Sequence, residues 1–298
     1  MKAFSTPLSR KLGLRYPMVV APMFIISNKE MLAACADAGI LGTMPSLNAR
    51  SAEAFEGDLK WLKANCNGPF GINLTIGLTP AKRLERDVDL CLEYEVPVLV
   101  TSYGNPTAIA QLAHAKGITV FHDVINLKHA KKAEAAGVDA IIGVSQGAGG
   151  HAGTVNPYVL LPYLRRNLSI PVIAAGCIGG GEQVAAALSL GAELAYMGTR
   201  FIASTECGSS EEYKRLILES THEDVIYTDK VSGIHANFLR QTVPDQSPGG
   251  RTPEEAKKWR DIWSAGQGVT LIDEVKPIAA IVEEVVGEYH AAVARLQS

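Results

Sequence analysis

Residues 171–198 read PVIAAGCIGGGEQVAAALSLGAELAYMG. The stretch opens on an apolar run, Pro171–Ala175, and crosses a glycine-rich turn into the helix-like Gly181–Leu190. It then returns through Gly191 to a second run, Leu194–Gly198. Neither run alternates polar with apolar residues, which suits strands buried on both faces of a parallel sheet. A glycine just past a helix can take the left-handed conformation that ends it and turns the chain into the next strand. The segment therefore predicts a strand–loop–helix–strand unit with parallel strands.

The same rhythm recurs along the chain. Further candidate strands are Pro17–Pro22, Ile40–Thr43, Pro69–Leu74, Pro97–Thr101, Ile118–Asp123 and Ala140–Ser145, making eight with the two above. Helical patterns lie between them at Lys29–Ala38, Ala52–Ala64, Pro80–Glu93 and Asn126–Ala136, and glycine marks the junctions at Gly39, Gly117 and Gly137. Eight βα units in series predict an α/β protein with a (β/α)₈ TIM-barrel architecture, whose functional groups sit at the C-terminal ends of the strands. A doubly wound sheet has the same periodicity, because the pattern does not show closure. After strand eight the rhythm breaks. Residues 207–268 combine helical Ser209–Ser220, a mixed segment and the polar run PDQSPGGRTPEEAKKWR, so they predict a small, mostly helical insertion forming a lid over the active site. The barrel then comprises 1–206 and 269–298, with Leu271–Leu296 as its eighth helix.

Composition narrows the function classes. With 298 residues, 47% of them hydrophobic, the chain can bury one large core. A formal charge of −3 gives no electrostatic reason to expect nucleic acid or an anionic membrane as partner. Five cysteines without a CxxC pair suggest neither a disulfide framework nor a metal site. The N-terminal MKAFSTPLSRKLGLRYPMVV lacks a signal-like apolar core, and no run approaches a membrane span, so a cytoplasmic location is expected.

The strand ends suggest where the chemistry lies. Gly176, Gly179, Gly180 and Gly181 separate a strand from a helix N-terminus, and Met197-Gly198-Thr199 ends the next strand with a small hydroxyl. Glycine lets backbone N–H groups approach a phosphate closely, and barrels often bind phosphate at these two loops. The bland reading is a pair of tight turns. In SQGAGGHAG, Gly147, Gly149, Gly150 and Gly153 flank His151, which would face the barrel mouth with an ionisation suited to proton transfer. A histidine bonded only to its own loop is the alternative. His114, His129 and His290 lie in helical stretches, His222 and His235 in the insertion, and His122 could belong to core or mouth. Asn73 ends a buried strand, either as a core amide or as a partner for a planar heterocycle. Asp123 is the carboxylate at a strand end, and neither a GxSxG elbow nor HExxH is present.

YPMVVAPM, FGINLT, HAKKAEAAGVDAII, GAGGHAG, IPVIAAGCI, YMGTRF, VSGIHANFLR and WSAGQGV, in this order, resemble the nitronate monooxygenase (2-nitropropane dioxygenase) family. The resemblance implies an FMN barrel in which Met23, Asn73, Gln146, Gly149 and Gly150 contact or make room for the flavin. It assigns Gly176, Gly179, Gly180, Tyr196, Met197, Gly198 and Thr199 to the phosphate, folds Gln267 back over the cofactor, and makes His151 the catalytic base. The implied reaction is O2-dependent oxidation of a nitronate or nitroalkane to a carbonyl compound and nitrite, by a homodimer. FMN-dependent NAD(P)H reduction of a quinone or enoyl thioester, and non-redox binding of a phosphate ligand, are the other readings. The chain departs from its relatives in two places. Gln146-Gly147-Ala148 is short where many carry a longer, glutamate-containing loop, and Asp123 stands where several have lysine.

Overall fold

The computed structural model describes residues 4–243 and 261–297. All eight candidate strands form: β1 (Met18–Val20), β2 (Leu41–Pro45), β3 (Phe70–Thr75), β4 (Val98–Ser102), β5 (Thr119–Val124), β6 (Ala140–Val144), β8 (Val172–Ala175) and β9 (Leu194–Met197). They pair in parallel as a closed barrel, with β9 returning to β1 through Val19↔Tyr196. Closure decides against the doubly wound sheet.

Helices α2 (Lys29–Asp37), α3 (Ala52–Asn65), α4 (Ala81–Glu93), α5 (Thr107–His114), α6 (Leu127–Ala135), α7 (Pro157–Asn167) and α8 (Gly181–Ser189) cover the barrel wall. Several start on a side-chain cap. Asn28, Ser51 and Asn126 each accept a hydrogen bond from the N–H three residues on, a device worth about 1 kcal/mol per helix. Their exits follow the sequence signal: Gly39, Gly117, Gly137 and Gly191 all have positive φ, from 71° to 94°.

Alternation sorts each strand into two faces. Val19, Leu41, Val98, Val100, Phe121, Ala140, Ile142, Ile173 and Leu194 fill the barrel interior, while Ile72, Leu74, Leu99, Val120, Ile141 and Val172 pack outward under the helices. The short helix α1 (Pro7–Lys11) plugs the N-terminal end with Leu8, held by its N–H donating to Glu193 Oε2 at 2.6 Å.

Three features depart from, or add to, the sequence reading. The last helix, α11 (Ile278–Gln297), starts later than Leu271. Residues 267–271 form a 3₁₀ turn, and Lys276 is tied as a β-bridge to Ser204 before Pro277, which has no N–H to continue a helix from upstream. The insertion supplies α10 (Glu211–Glu219) after the short α9 (Thr199–Ile202), and also two strands, β10 (Val225–Thr228) and β11 (Ala236–Leu239). These join β7 (Gly150–His151) in a three-stranded antiparallel sheet. The polar run 244–260 lies outside the described residues.

Candidate functional site

Register places a polar layer at the C-terminal end of the barrel interior. Asn73 pairs with the inward-facing Val100, Thr75 with Ser102, and Asp123 stands two residues beyond the inward-facing Phe121. Their side chains form a chain with a fixed direction. Ser102 Oγ donates to Asp123 Oδ2 at 2.7 Å, so the serine oxygen accepts from Asn73 Nδ2 at 2.9 Å. The second amide hydrogen of Asn73 goes to Val100 O, and Thr75 Oγ1 donates to Asn73 Oδ1 at 3.3 Å. Asn73 can therefore offer a ligand only further acceptor capacity at Oδ1. Burial pushes the Asp123 carboxyl up to about 6, partly offset by the Ser102 bond.

His122 faces the other way. Thr101 Oγ1 donates to Phe121 O and so receives the His122 Nδ1–H at 2.8 Å. Burial lowers the imidazole to about 4, so it is a neutral residue of the layer between barrel and helices, not of the mouth. His114 bonds Asp139 on the surface, His222 contacts Thr270, and His235 tilts against Tyr227.

His151 occupies the second position of β7, opposite Ala236 of β11. Two side chains from distant segments orient it. Its ring meets Tyr103 edge-on at 5.5 Å between centroids. Ser232 Oγ donates to Ile234 O, so its oxygen receives the Nε2–H of His151 at 3.3 Å, which puts the ring's lone pair on Nδ1. Buried Asn237 holds the loop from behind, donating from Nδ2 to Ala148 O at 2.7 Å.

The glycines pack loop against loop. A methyl on Gly149 would lie 2.9 Å from Gly266 N, and one on Gly147 2.5 Å from Cys177 Sγ. Gln267 N donates to Gly147 O and Gly266 N to Thr199 Oγ1, both at 2.9 Å, so the turn at 265–268 closes over the loops after β6, β8 and β9. Gly176, Gly179, Thr199 and Gln267 thus belong to one cluster, with Met23 Sδ beside Gly198 at 4.0 Å from where its methyl would be. Gly150, at φ 69°, has open space on its side-chain side. Among the described residues, the N–H groups of Cys177, Ile178, Gly198 and Thr199 find no hydrogen-bond acceptor, which leaves donors for an anion between the two strand ends.

The other predicted residues are placed differently. Gly180 caps α8, whose Gly181 N–H already holds the Glu288 carboxylate at 2.6 Å; this helix end carries its own anion. Met197 buries its side chain in the outer core, leaving only its backbone near the loops. Tyr196 faces the interior, its phenol driven far up by burial and by Asp123. Gln146 is exposed and lines an 80 Å³ cavity with Thr154, Tyr227 and Asn237. Both backbone groups of Met23 have internal partners: its N–H donates to Ser27 Oγ, and its carbonyl accepts from Asn48 Nδ2.

Sequence reasoning missed Tyr103, Asn237, Ser102 and Asn48. Asn48 ties down the loop after β1 by bonding Met23, Ile25 and Ser27, and Ile25 sits there at φ 74°. Cys177, also left-handed at φ 57°, donates its thiol to Gln146 O and is pushed up by burial, so it stays a thiol.

The nitronate monooxygenase family profile matches residues 75–247. Over 291 residues the chain is 30% identical to a nitronate monooxygenase of Paraburkholderia phytofirmans, covering 82% of this chain and 79% of that one. It is 32% identical over 252 residues to an octahydroindene-carboxyl-CoA dehydrogenase of Mycobacterium tuberculosis, covering 82% and 69%. Among solved structures, FabK from Thermotoga maritima matches with a TM-score of 0.88 at 31% identity over 98% of both chains. Nitroalkane oxidase from Streptomyces ansochromogenes matches at 0.85 and 25%, over 97% of this chain and all of that one.

Proposed function

The chain belongs to the nitronate monooxygenase family, flavin-dependent oxidoreductases, and on that premise we propose that it binds FMN at the barrel mouth and oxidises nitroalkanes or their nitronates with O2 to a carbonyl compound and nitrite. The observation that carries this reading is His151. It is fixed on a strand at the mouth by β11, Tyr103 and Ser232, at the same end of the barrel as backbone N–H groups that have no acceptor among the described residues.

The residues fit the cofactor. The N–H groups of Cys177, Ile178, Gly198 and Thr199 would hold its phosphate, and the Gly149–Gly150 backbone leaves room for a flat ring. Bound FMN would supply the electron transfer; the protein supplies position, desolvation and proton control. His151, as the Nδ1-basic tautomer, takes the acidic α-proton of a neutral nitroalkane. Phe24 and Ile25, exposed after β1, offer apolar surface to the alkyl part.

His151→Asn should abolish nitroalkane turnover while leaving FMN uptake, read by flavin fluorescence quenching, unchanged. Retained turnover would refute the assignment. The likeness to FabK and to a CoA-thioester dehydrogenase favours one second reading, NAD(P)H-dependent reduction of an enoyl thioester or quinone. Anaerobic mixing separates the two: bleaching of the flavin by NAD(P)H supports the reductase, and bleaching by a nitroalkane or its nitronate without NAD(P)H supports the oxidase. A protein that stays colourless after incubation with FMN would refute both.

A further inference from the structure

We propose that Asp123 sets the charge of the substrate that the barrel mouth accepts: ionised, it excludes a small planar anion such as a nitronate and favours the neutral nitroalkane. The proposal rests on reading the mouth as the substrate site.

Asp123 lies on the inward face of β5, and its Oδ2 is fixed by Ser102. The groups around it provide no positive charge. Ser102 and Tyr103 come from β4 and its loop, Asn73 from β3, and Tyr196 from β9; the paired position on β6 is Ile142. Burial and Asp123 raise both phenols, so both are neutral at physiological pH. The imidazole of His122 is on the opposite face of the strand and neutral, and His151 stands beyond Tyr103. No Lys or Arg pairs with Asp123 among the described residues. The chain of donors runs from Asn73 through Ser102 and ends on the carboxylate, so the polar layer is arranged to accept one negative charge and is already full when Asp123 is ionised.

A second anion entering the mouth beside Asp123 meets a like charge that no Lys or Arg among the described residues offsets. It binds only when Asp123 carries a proton, so its affinity falls tenfold for each pH unit above the carboxyl's ionisation, near pH 6. The neutral nitroalkane escapes this penalty. Above that pH the mouth therefore selects the substrate form that still needs a base, which is the task assigned to His151.

The test is a calorimetric titration with nitrate, a planar anion of nitronate-like shape that is inert here, against wild type and Asp123→Asn from pH 5 to 8. FMN uptake is measured first and separately by fluorescence quenching. Failure to take up FMN defeats the flavin reading, while the nitrate titration of the protein alone still reads Asp123. The expected result is a wild-type Kd that rises about tenfold per pH unit above pH 6, and an Asp123→Asn Kd that is flat there and about a hundredfold tighter at pH 8. Asp123→Glu should restore the slope, and Asp123→Ser, with a smaller uncharged side chain, should behave like Asn if the Asn variant does not fold. A slope that persists without the carboxylate would belong to His151 and would overturn the proposal, as would no nitrate binding at any pH. In steady state, kcat/KM for ethyl nitronate relative to nitroethane should rise in Asp123→Asn at pH 8.

Discussion

Asn237 is the insertion's hold on the loop that carries His151, and replacing it by alanine isolates that hold. The amide is 4% exposed and gives its N–H to Ala148 O at 2.7 Å across a gap of 89 residues. No other hydrogen bond reaches that carbonyl among the described residues, so truncation leaves a buried acceptor unmatched at a cost of about 1–3 kcal/mol. Unfolding entropies of roughly 2 cal/mol/K per residue, spread over 298 residues, turn about 2 kcal/mol into a fall in Tm of about 3 °C. The effect on turnover should be larger in proportion. The ladder pairing Ala236 with His151 survives in the variant, but the loop before the histidine loses its anchor, and displacement of a catalytic group by about 1 Å can cost on the order of a hundredfold. Asn237→Ala should thus lower Tm slightly, lower kcat for nitroalkane at least tenfold, and weaken FMN binding by less than it lowers kcat, because the N–H groups proposed for the phosphate lie on other loops. Calorimetry, steady-state assays and fluorescence quenching read the three quantities. An unchanged kcat alongside the lowered Tm would show that β11 merely packs there and does not position His151.

Other outcomes follow from the same geometry. His122 is held neutral down to about pH 4, whereas the unfolded chain binds that proton near 6.5. Its contribution to stability is therefore lost as pH falls through that window, up to about 3 kcal/mol, and His122→Gln should lack this loss in denaturant titrations at pH 4, 5, 6 and 7. Asp123 has the opposite sign. Its carboxyl titrates near 6 in the fold against 3.8 in the unfolded chain, so the fold is penalised as pH rises, and Asp123→Asn should gain stability over wild type at pH 7 but not below pH 4. A methyl on Gly181 would lie 2.1 Å from Val285 O and 2.3 Å from Tyr289 N, so Gly181→Ala should force α8 and α11 apart and cost several kcal/mol, seen as insoluble protein or a large fall in Tm. Gly149→Ala should push the 265–268 turn off the loop and weaken FMN binding; unaltered FMN affinity would remove that turn from the cofactor site.

The barrel was legible because its strands are buried on both faces and its helices end on left-handed glycines, both of which leave a local trace at Gly39, Gly117, Gly137 and Gly191. Parity alone would have placed His122: with Phe121 in the interior, its neighbour must face outward. The start of the last helix was misread because apolar Leu271, Ile272 and Val275 extend the helical spacing upstream of Pro277, the one signal against it. The strand carrying His151 left no trace, since two residues are too short to show a period and the partner lies in the insertion. The Asn73–Ser102–Asp123 chain joins three strands, and such register cannot be read from one strand at a time.

The pairing of β7 with β11 also orders events in time. All eight barrel strands are complete at Met197, but the segments that align His151 and close over the glycine loops follow it, at 236–239 and 265–268. During synthesis, the chain has every strand of the barrel before it can have an aligned histidine. A nascent or truncated chain ending soon after strand eight would carry His151 without the β11 partner that aligns it, so the proposed base is set only once the segments at 236–239 and 265–268 have been made.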